Sequence, residues 1–227
     1  TWADLQIIFA TKNGNIRRNQ LSDFTNIRQN GKIAMKLNET DELVSVLPCN
    51  DKDNILLATR LGKAIRFDVN DVRVFVGRGS SGVRGVRLKP KDIVVSMSLI
   101  PDIQEKYVLS VTENGFGKRT PVDDYRKTNR GGQGVANIEC STRNGPVVAS
   151  YVASENDQIM LVTNSGKLIR IRVNGGEGDT IRIAGRKTQG VRLFDVDEGE
   201  KVVSVALLNE TDDVADDDEI KNTSDES

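Results

Sequence analysis

The 227-residue sequence contains no histidine and only two cysteines, Cys49 and Cys140. Without histidine the chain cannot form Ser-His-Asp or Cys-His nucleophile systems, and most zinc sites are also excluded. The cysteines stand about ninety residues apart without neighbouring metal ligands, which favours reduced, buried thiols in a cytosolic compartment over a disulfide. Most of the familiar machinery of hydrolytic enzymes is therefore missing, although an enzyme of another kind is not excluded.

Aromatic residues are scarce, at 4% of the chain, and long apolar runs are absent. No stretch approaches the roughly 18 apolar residues that cross a membrane, and no signal-peptide pattern precedes the first strand-like segment. The sequence starts TWADLQIIFATKNG without an initiator Met, so we expect a fragment of a longer chain. The few aromatic side chains also argue against a surface on which single-stranded bases stack.

The net charge of −1 conceals a strong asymmetry along the chain. Residues 209–227 hold nine of the 33 acidic residues and one of the 32 basic residues. Residues 1–208 therefore carry 31 Lys and Arg against 24 Asp and Glu, a net charge of +7. We expect a basic folded body followed by an acidic, disordered tail over residues 209–227.

The body contains a fourfold repeat of a hairpin-like segment. The turn glycines are spaced by 48, 53 and 51 residues: Gly14, Gly62, Gly115 and Gly166. Three residues before each glycine stands a threonine, and four residues after it stands an arginine: Thr11, Thr59, Thr112, Thr163 and Arg18, Arg66, Arg119, Arg170. Asn-Gly at two of these turns is typical of a tight β-hairpin, in which both central residues need positive φ.

Two further blocks follow every hairpin in the same order. A glycine-rich block covers residues 31–37, 82–88, 132–138 and 188–194, and a Val-rich block covers residues 43–46, 94–97, 147–150 and 202–205. Short alternating strands at a period near 50 residues indicate an all-β, propeller-like architecture with about four blades of four antiparallel strands. We expect repeats at about 1–50, 51–102, 103–154 and 155–208, separated by polar turns.

The repeated arginine of the hairpins admits two interpretations. It shares a strand face with small or apolar residues, so its stem can lie over the sheet while its head caps a carbonyl or carboxylate group. Alternatively, the four hairpin arginines form a ring of guanidinium groups, one per blade, around a rim. The hairpin sequences leave both interpretations open.

Basic residues beside glycines favour contact with a phosphate backbone. Glycine lets a main chain approach a partner closely, and arginine supplies a planar fork of donors. Nothing resembles a recognition helix, so we predict duplex DNA binding without sequence preference along a curved rim. The candidate contacts are the hairpin arginines and a second group of basic residues beside glycines: Arg78, Arg84, Arg87, Lys118, Arg130, Arg186, Lys187 and Arg192.

Three stretches carry a family resemblance: YVLSVTENGFGKRTPVDDYRKTNRGGQGVANI (residues 107–138), DQIMLVTNSGKLIRIRV (157–173) and IRIAGRKTQGVRLF (181–194). They resemble the C-terminal domain of DNA gyrase A, and the resemblance covers residues 5–208 together with the acidic tail. It implies a β-pinwheel whose blades share strands with their neighbours. It also implies a basic perimeter that wraps duplex DNA in a right-handed sense.

The same resemblance implies a division of labour within a larger enzyme. In the family, ATP hydrolysis belongs to the partner protein gyrase B, and the cleaving tyrosine belongs to the N-terminal breakage-reunion part of gyrase A. We therefore expect no catalytic residue, metal site or cofactor in this chain, and ATP and Mg act elsewhere in the holoenzyme. The implied role is DNA wrapping for negative supercoiling by an ATP-dependent type II topoisomerase in the bacterial cytoplasm, at the nucleoid and without a membrane partner.

Two departures from the family pattern qualify this expectation. The family domain has six blades, whereas the repeat gives four here, which predicts an open arc with exposed edges. The family's Gln-Arg-Arg-Gly-Gly-Lys/Arg-Gly box has its nearest match at residues 129–134, in the third unit and without the leading Gln-Arg and the later basic residue. We interpret this as the loss of the first two blades with the box. The same absence leaves the C-terminal domain of topoisomerase IV as an alternative.

Two other classes of function are alternatives to a DNA-wrapping domain. A protein-interaction propeller would bind a peptide on its rim or flat face, and its binding would depend only weakly on salt. An enzyme would need acidic residues converging on a central channel, but no repeated Asp or Glu emerges from the four units. DNA binding instead predicts that log K falls with log salt at a slope of about −5 for about six phosphates.

Overall fold

A computed structural model describes residues 4–27, 29–101, 106–176 and 180–209. Within these ranges the strands are β1 (Gln6–Thr11), β2 (Asn15–Gln20), β3 (Leu43–Cys49), β4 (Asn54–Thr59), β5 (Lys63–Asp68), β6 (Val83–Arg84), β7 (Val94–Ile100), β8 (Tyr107–Thr112), β9 (Phe116–Pro121), β10 (Val135–Ala136), β11 (Val147–Ala153), β12 (Gln158–Thr163), β13 (Leu168–Arg172), β14 (Val191–Arg192) and β15 (Val202–Leu208). Short 3-10 helices at Leu21–Phe24, Val69–Asp71 and Val122–Asp124 follow the first three hairpins.

Each unit begins with a hairpin whose turn is fixed by the repeated glycine and threonine. The turn glycines have φ between 75° and 84°, a left-handed backbone that glycine adopts without strain. Their N–H groups donate to the carbonyl of the threonine three residues earlier, at 2.9–3.1 Å. In the first, second and fourth hairpins the threonine hydroxyl also accepts from the N–H four residues later. The Thr-Gly repeat therefore closes the hairpin turn.

Neighbouring units exchange strands to complete their blades. Each unit contributes three strands to one sheet: β3-β1-β2, β7-β4-β5, β11-β8-β9 and β15-β12-β13. The fourth strand comes from the next unit, because β6 pairs with β2, β10 with β5 and β14 with β9, all antiparallel. The prediction of an all-β fold with four blades is confirmed. The strand of the glycine-rich block, however, lies in the preceding blade and not in that of its own unit.

Apolar side chains of neighbouring blades pack together between the sheets. One buried cluster joins the first and second blades and includes Ile8, Ile16, Ile55 and Phe67. Another joins the third and fourth blades and includes Leu109, Ala149, Leu161 and Val205. The inner strands β3, β7, β11 and β15 contact one another in chain order. The blades therefore follow one another along an arc.

The two ends of this arc leave apolar side chains exposed. Leu43 and Val46 of β3 are 43% and 39% exposed, whereas the equivalent Val94 and Met97 of β7 are 1% and 3% exposed. At the other end, Val203 of β15 is 56% exposed. Val203 is thus more exposed than its half-buried equivalents Val95 and Val148, so each end presents more apolar surface than an inner blade does.

The two cysteines are free thiols, with Cys49 buried and Cys140 half-buried. Burial raises the pKa of the Cys49 thiol to about 12 and also raises the pKa of the Cys140 thiol. Both are therefore poor nucleophiles at neutral pH. Among the described residues, no helix has the length and apolar character needed to cross a membrane. The predicted acidic tail lies outside the described residues from position 210 onward.

Candidate nucleic-acid interface

The hairpin arginines of the first three units point between blades. Arg18 and Arg119 are only 5% and 4% exposed, and Arg66 is half-buried. The Arg18 guanidinium donates to three side-chain oxygens at 3.0–3.3 Å, those of Gln6, Asp51 and Asn70. The predicted ring of exposed guanidinium groups is therefore wrong for Arg18 and Arg119, because both side chains are buried and donate hydrogen bonds to oxygen atoms inside the protein. For these residues the capping interpretation is correct.

Each of these arginines ties its blade to the unit that follows. Arg119 Nε donates to the carbonyl of Ile181 at 2.7 Å, and Arg119 Nη1 lies 3.3 Å from a carboxylate oxygen of Glu155. Arg66 Nη1 donates to two main-chain carbonyls of the third unit at 3.3 Å. Parallel main-chain bridges to the next unit occur at the same three arginines. Blade coupling therefore explains why the hairpin arginine recurs.

Arg170 is the hairpin arginine with a different environment. It lies exposed on β13, the outermost described strand of the fourth blade, and its Nε donates to the Gln158 side chain at 2.6 Å. Its exposure follows from its place in the last described blade. Of the four hairpin arginines, it best fits the predicted exposed position.

The glycine-rich blocks and the loops that precede them form a continuous strip, here called the perimeter belt (residues 31–37, 77–88, 129–140 and 185–196). Each segment contains a glycine at an equivalent position, here called the block glycine: Gly31, Gly82, Gly134 and Gly190. Main-chain hydrogen bonds join successive segments: Lys36 N to Ser80 O at 3.2 Å, Arg87 N to Gly132 O at 2.8 Å and Glu139 N to Thr188 O at 3.0 Å. Each donor stands five residues after one block glycine, and each acceptor stands two residues before the next. One repeated contact therefore carries the belt from unit to unit.

A second arginine repeat, four residues before the block glycine, also holds the belt together. Its guanidinium groups donate to the carbonyl two residues after the preceding block glycine, at 2.8, 3.0 and 3.1 Å. The donors are Arg78, Arg130 and Arg186, and the acceptors are Ile33, Arg84 and Ala136. All three arginines are half-buried. Because arginine has five N–H donors, these contacts leave donors for a further partner.

Four predicted contact residues lie exposed on the belt: Arg84, Arg87, Lys187 and Arg192. Arg192 forms an ion pair with Asp195 and lies 5.5 Å from the ring centroid of Phe116. An exposed ion pair of this kind contributes about 0–1 kcal/mol, so it is readily exchanged for another anion. These side chains form the accessible part of the predicted site.

The prediction that Lys118 contacts DNA directly is wrong, because this lysine is fully buried beneath the belt at 0% exposure. Its Nζ donates to the carbonyl of Gly185 at 2.5 Å. Burial, together with the smaller effect of the Arg186 charge, lowers the pKa of Lys118 to about 8, and the Asp124 carboxylate opposes this shift. The lysine therefore holds the loop of Arg186 and Lys187 from below.

Arg17 has the equivalent position in the first hairpin, and it is only 1% exposed. Its Nη1 donates to the carbonyl of Ser80 at 2.6 Å, and its Nη2 donates to the carbonyl of Gly77. Two belt loops thus rest on a buried cation that directly precedes the hairpin arginine. Sequence analysis missed this role, although the pairs Arg17-Arg18 and Lys118-Arg119 were visible signals.

Further exposed basic residues beside the belt were also missed. They stand seven to nine residues before a block glycine: Arg73, Arg126, Lys127 and Arg182. Arg73 lies 4.4 Å from the ring centroid of Phe75, and Lys127 forms an ion pair with Asp68 at 2.5 Å. Their repeated position before the glycine was the signal that would have found them.

The belt combines exposed cations, partly engaged arginines and main-chain amides along the outer edges of the blades. In the described part of the chain, no group of three or more His, Cys, Asp or Glu side chains is placed to hold a metal ion. A linear array of cations attracts an extended polyanion, since its charges act together over the length of the array.

The family model described as "DNA gyrase C-terminal domain, beta-propeller" matches residues 6–50, 53–101, 106–145 and 157–209. The chain belongs to this gyrase family. Each matched segment contains one of the four hairpins, so the family pattern recurs with the structural repeat. The family resemblance predicted from the sequence is confirmed.

The curated relatives that match this chain are much longer proteins. The DNA gyrase A protein of Rickettsia bellii is 41% identical over 258 residues, which cover 93% of this chain and 28% of that protein. The DNA gyrase A protein of Staphylococcus epidermidis is 41% identical over 207 residues, which cover 91% of this chain and 22% of that protein. The chain thus spans 22–28% of the length of these two relatives.

Two solved structures share the fold of this gyrase-family chain. The C-terminal domain of DNA topoisomerase IV matches with a TM-score of 0.82 and 27% identity, covering 90% of this chain and 62% of that one. The DNA gyrase A C-terminal domain matches with a TM-score of 0.79 and 28% identity, covering 91% of this chain and 67% of that one.

Proposed function

We propose that this chain binds duplex DNA without sequence preference along the perimeter belt and bends the duplex around the arc of blades. The observation that carries the proposal is the repeated belt joint, in which an arginine four residues before Gly82, Gly134 and Gly190 is held half-buried at the outer edge of the blades. Exposed cations stand beside these arginines at Arg84, Arg87 and Lys187.

The chemistry of the belt fits a phosphate backbone. Cations placed along an edge neutralise phosphates and release counterions, which supplies affinity that is independent of base sequence. The net charge of +7 over residues 1–208 has the sign that this binding needs. Because the cations recur with the blades, the spacing of the blades sets the path of the DNA.

Within a type II topoisomerase, such bending serves negative supercoiling by presenting a crossed duplex to the strand-passage machinery. The proposed partners are therefore duplex DNA, gyrase B and the N-terminal breakage-reunion part of gyrase A, in the bacterial cytoplasm. DNA cleavage and ATP hydrolysis would take place outside this chain, which is proposed to be non-catalytic and to need no cofactor of its own.

A topoisomerase IV C-terminal domain is the second candidate, favoured by the TM-score of 0.82 to such a domain. The curated relatives named above, at 41% identity, favour gyrase. Either candidate would bind duplex DNA, so the two would differ in whether the bound duplex is wrapped fully enough to change its linking number.

The deciding experiment is ligation of a nicked circular plasmid with increasing amounts of the chain. We expect a progressive positive shift of the linking number, which reports right-handed wrapping. The matched control replaces the exposed cations Arg84, Arg87 and Lys187 with Ala, which should reduce both binding and the shift. Binding without a shift would restrict the function to holding DNA. No binding at low salt would overturn the proposal in favour of a protein-interaction propeller.

A further inference from the structure

One apolar side chain stands fully exposed beside the perimeter belt. Val76 is 102% exposed, the largest value among the exposed large apolar side chains of the described residues. It directly precedes belt residues 77–88 and stands two residues before Arg78, which joins the belt to the preceding segment. A single exposed apolar residue is common on protein surfaces and carries no conclusion by itself. The loop around Val76, however, differs in two ways from its equivalents in the later units.

The first difference is length, because the loop that carries Val76 is one residue longer than its two equivalents. In all three loops a main-chain N–H donates to the carbonyl of the hairpin arginine, at 2.8–2.9 Å, and the donors are Phe75, Thr128 and Ala184. The belt arginine follows the donor by three residues in the first loop and by two residues in the others. From the belt arginine to the block glycine the distance is four residues in all three. The additional residue therefore lies between Phe75 and Arg78, where Val76 stands.

The second difference is a set of hydrogen bonds that holds the main chain on both sides of Val76. The fully buried Asn19 side chain donates through Nδ2 to the Phe75 carbonyl at 3.0 Å and to the Gly77 carbonyl at 2.9 Å. The buried Arg17 guanidinium also donates to the Gly77 carbonyl. A loop held at both neighbours of its exposed residue has little conformational freedom left to lose on binding, so Val76 is presented in a preorganised position.

The outer position of this loop is not peculiar to the first blade. The residues that directly precede the belt arginine in the two later loops, Asn129 and Gly185, are exposed as well. This part of the loop therefore faces solvent at all three joints, and only the first joint places an apolar side chain there.

Cations surround the apolar side chain. The exposed Arg73 lies 4.4 Å from the ring centroid of Phe75, and the half-buried Arg78 and the exposed Arg84 follow on the same belt segment. Valine is β-branched, so its side chain is stiff as well as apolar. A stiff apolar group among cations fits a polyanion that has apolar surface between its charges. Duplex DNA has such surface on the sugars and base edges of its grooves.

We propose that Val76 is a wedge that enters the minor groove of the bound duplex and partly unstacks one base step, which places a kink in the DNA over the first blade. This inference rests on the proposed binding of duplex DNA along the belt. Apolar wedges kink DNA in this way, and the deformation costs least at flexible pyrimidine–purine steps such as TA. The wedge therefore favours positions where such a step faces Val76, although no base is read by hydrogen bonds. At the joints of Asn129 and Gly185 the path of the DNA bends without a wedge.

A fluorescent base tests the unstacking directly. The adenine of a single central TA step in a short duplex is replaced by 2-aminopurine, which fluoresces more strongly when it is unstacked. We expect the fluorescence to rise when the parent chain binds, to stay low with Val76→Ser, and to rise again with Val76→Leu, which restores an apolar side chain. A duplex with 2-aminopurine inside a stiff A-tract should respond less to the parent chain.

The dependence of affinity on salt separates a wedge from a phosphate contact. Val76→Ser should weaken DNA binding by about tenfold, because the apolar contact is lost. The slope of log K against log salt should stay unchanged, because no cation is removed. The matched control is Leu61→Ser, at an apolar residue that is 44% exposed and lies outside the belt. Its affinity should change by less than about twofold.

Bending is measured on the same complexes by energy transfer between dyes at the two ends of the duplex, at saturating protein. We expect the parent chain and Val76→Leu to bring the ends closer together than Val76→Ser does. A parent chain that fails to bind DNA would overturn the proposed function and the wedge with it. A parent chain that binds, but whose base fluorescence, affinity and end-to-end transfer equal those of Val76→Ser, would overturn the wedge alone. A reduced salt slope in Val76→Ser would also contradict the wedge, since it would show that the substitution acts through the cations of the loop.

Discussion

The guanidinium of Arg130 donates to the main-chain carbonyl of Arg84 at 3.0 Å, which joins the belt segment of the third unit to that of the second. The same contact recurs at the joints made by Arg78 and Arg186. One arginine per joint thus holds neighbouring blades together and places positive charge at their outer edge. The same repeated arginine therefore joins neighbouring blades and belongs to the proposed DNA contact.

Replacing the buried hairpin arginine should lower the stability of the fold and should not remove a direct contact with DNA. We expect Arg119→Met to lower the free energy of unfolding by about 2–4 kcal/mol, because a nearly buried residue loses its hydrogen bonds to the Ile181 carbonyl and Glu155. Urea unfolding measures the loss. The matched variant is Arg170→Met, at the equivalent but exposed position, where about 1 kcal/mol or less is expected. Equal losses would contradict the role assigned to burial.

Replacing exposed cations of the belt should weaken DNA binding and leave the free energy of unfolding nearly unchanged. Arg87→Ala and Lys187→Ala should each weaken DNA binding and reduce the salt slope by about 0.9, because each removes one phosphate contact. Their free energies of unfolding should stay within about 0.5 kcal/mol of the parent. Fluorescence anisotropy at several salt concentrations measures the slope. Lys52→Ala, an exposed lysine outside the belt, should leave the slope unchanged.

DNA binding should weaken as the pH rises through about 8, the folded pKa of Lys118. DNA favours the charged lysine beneath the belt, and this charge is lost above that pH. The absence of histidine removes the side chain that most often titrates near neutral pH. DNA binding measured by fluorescence anisotropy should therefore weaken between pH 7 and pH 9 for the parent and change less over this range for Lys118→Met. Identical pH profiles would contradict the prediction.

The lowered pKa of Lys118 should also make the free energy of unfolding depend on pH. The folded pKa of about 8 lies below the ordinary value of 10.5, so the unfolded chain binds the proton more tightly. Stability should then rise as the pH increases from about 8 to 10.5, since the unfolded state holds more protons over this interval. Urea unfolding of the parent relative to Lys118→Met isolates this contribution, and a difference that falls with pH would contradict it.

Strand exchange makes particular glycines critical. Gly134→Ala would place a Cβ 2.3 Å from the Ala64 carbonyl oxygen at a φ of 71°, so we expect a loss of about 3 kcal/mol. Gly176→Ala, at a φ of 94° in open space, should cost only about 1 kcal/mol. Thermal or urea unfolding of both variants decides whether the close approach, rather than the left-handed backbone alone, sets the cost.

The acidic tail is expected to compete with DNA for the basic body. Nine acidic residues tethered to that body act at high effective concentration. Deleting residues 209–227 should tighten DNA binding at low salt and have little effect at high salt, as measured by gel shift. Unchanged affinity at low salt would identify the tail as a solubilising segment.

Local chemistry explains what could be predicted from the sequence. Thr and Gly at fixed offsets close a hairpin by short-range hydrogen bonds and a left-handed turn, so four hairpins and four blades follow from the repeat. The clustering of basic residues beside glycines likewise follows from the sequence, and Arg84, Arg87 and Lys187 are exposed as expected. These features depend on residues that are neighbours along the chain.

The tertiary structure alone decided which cations face solvent. Arg18 and Arg119 have the same place in the repeat as Arg170, yet only Arg170 is exposed, because a following unit packs over the other two. The same packing buries Lys118 under a belt loop 67 residues later in the chain. It also places the glycine-rich strand in the preceding blade. The sequence by itself determined the repeat, the hairpins and the charge of the body. The exchange of strands between units determined which side of each unit is covered, since that depends on contacts between residues far apart in the chain.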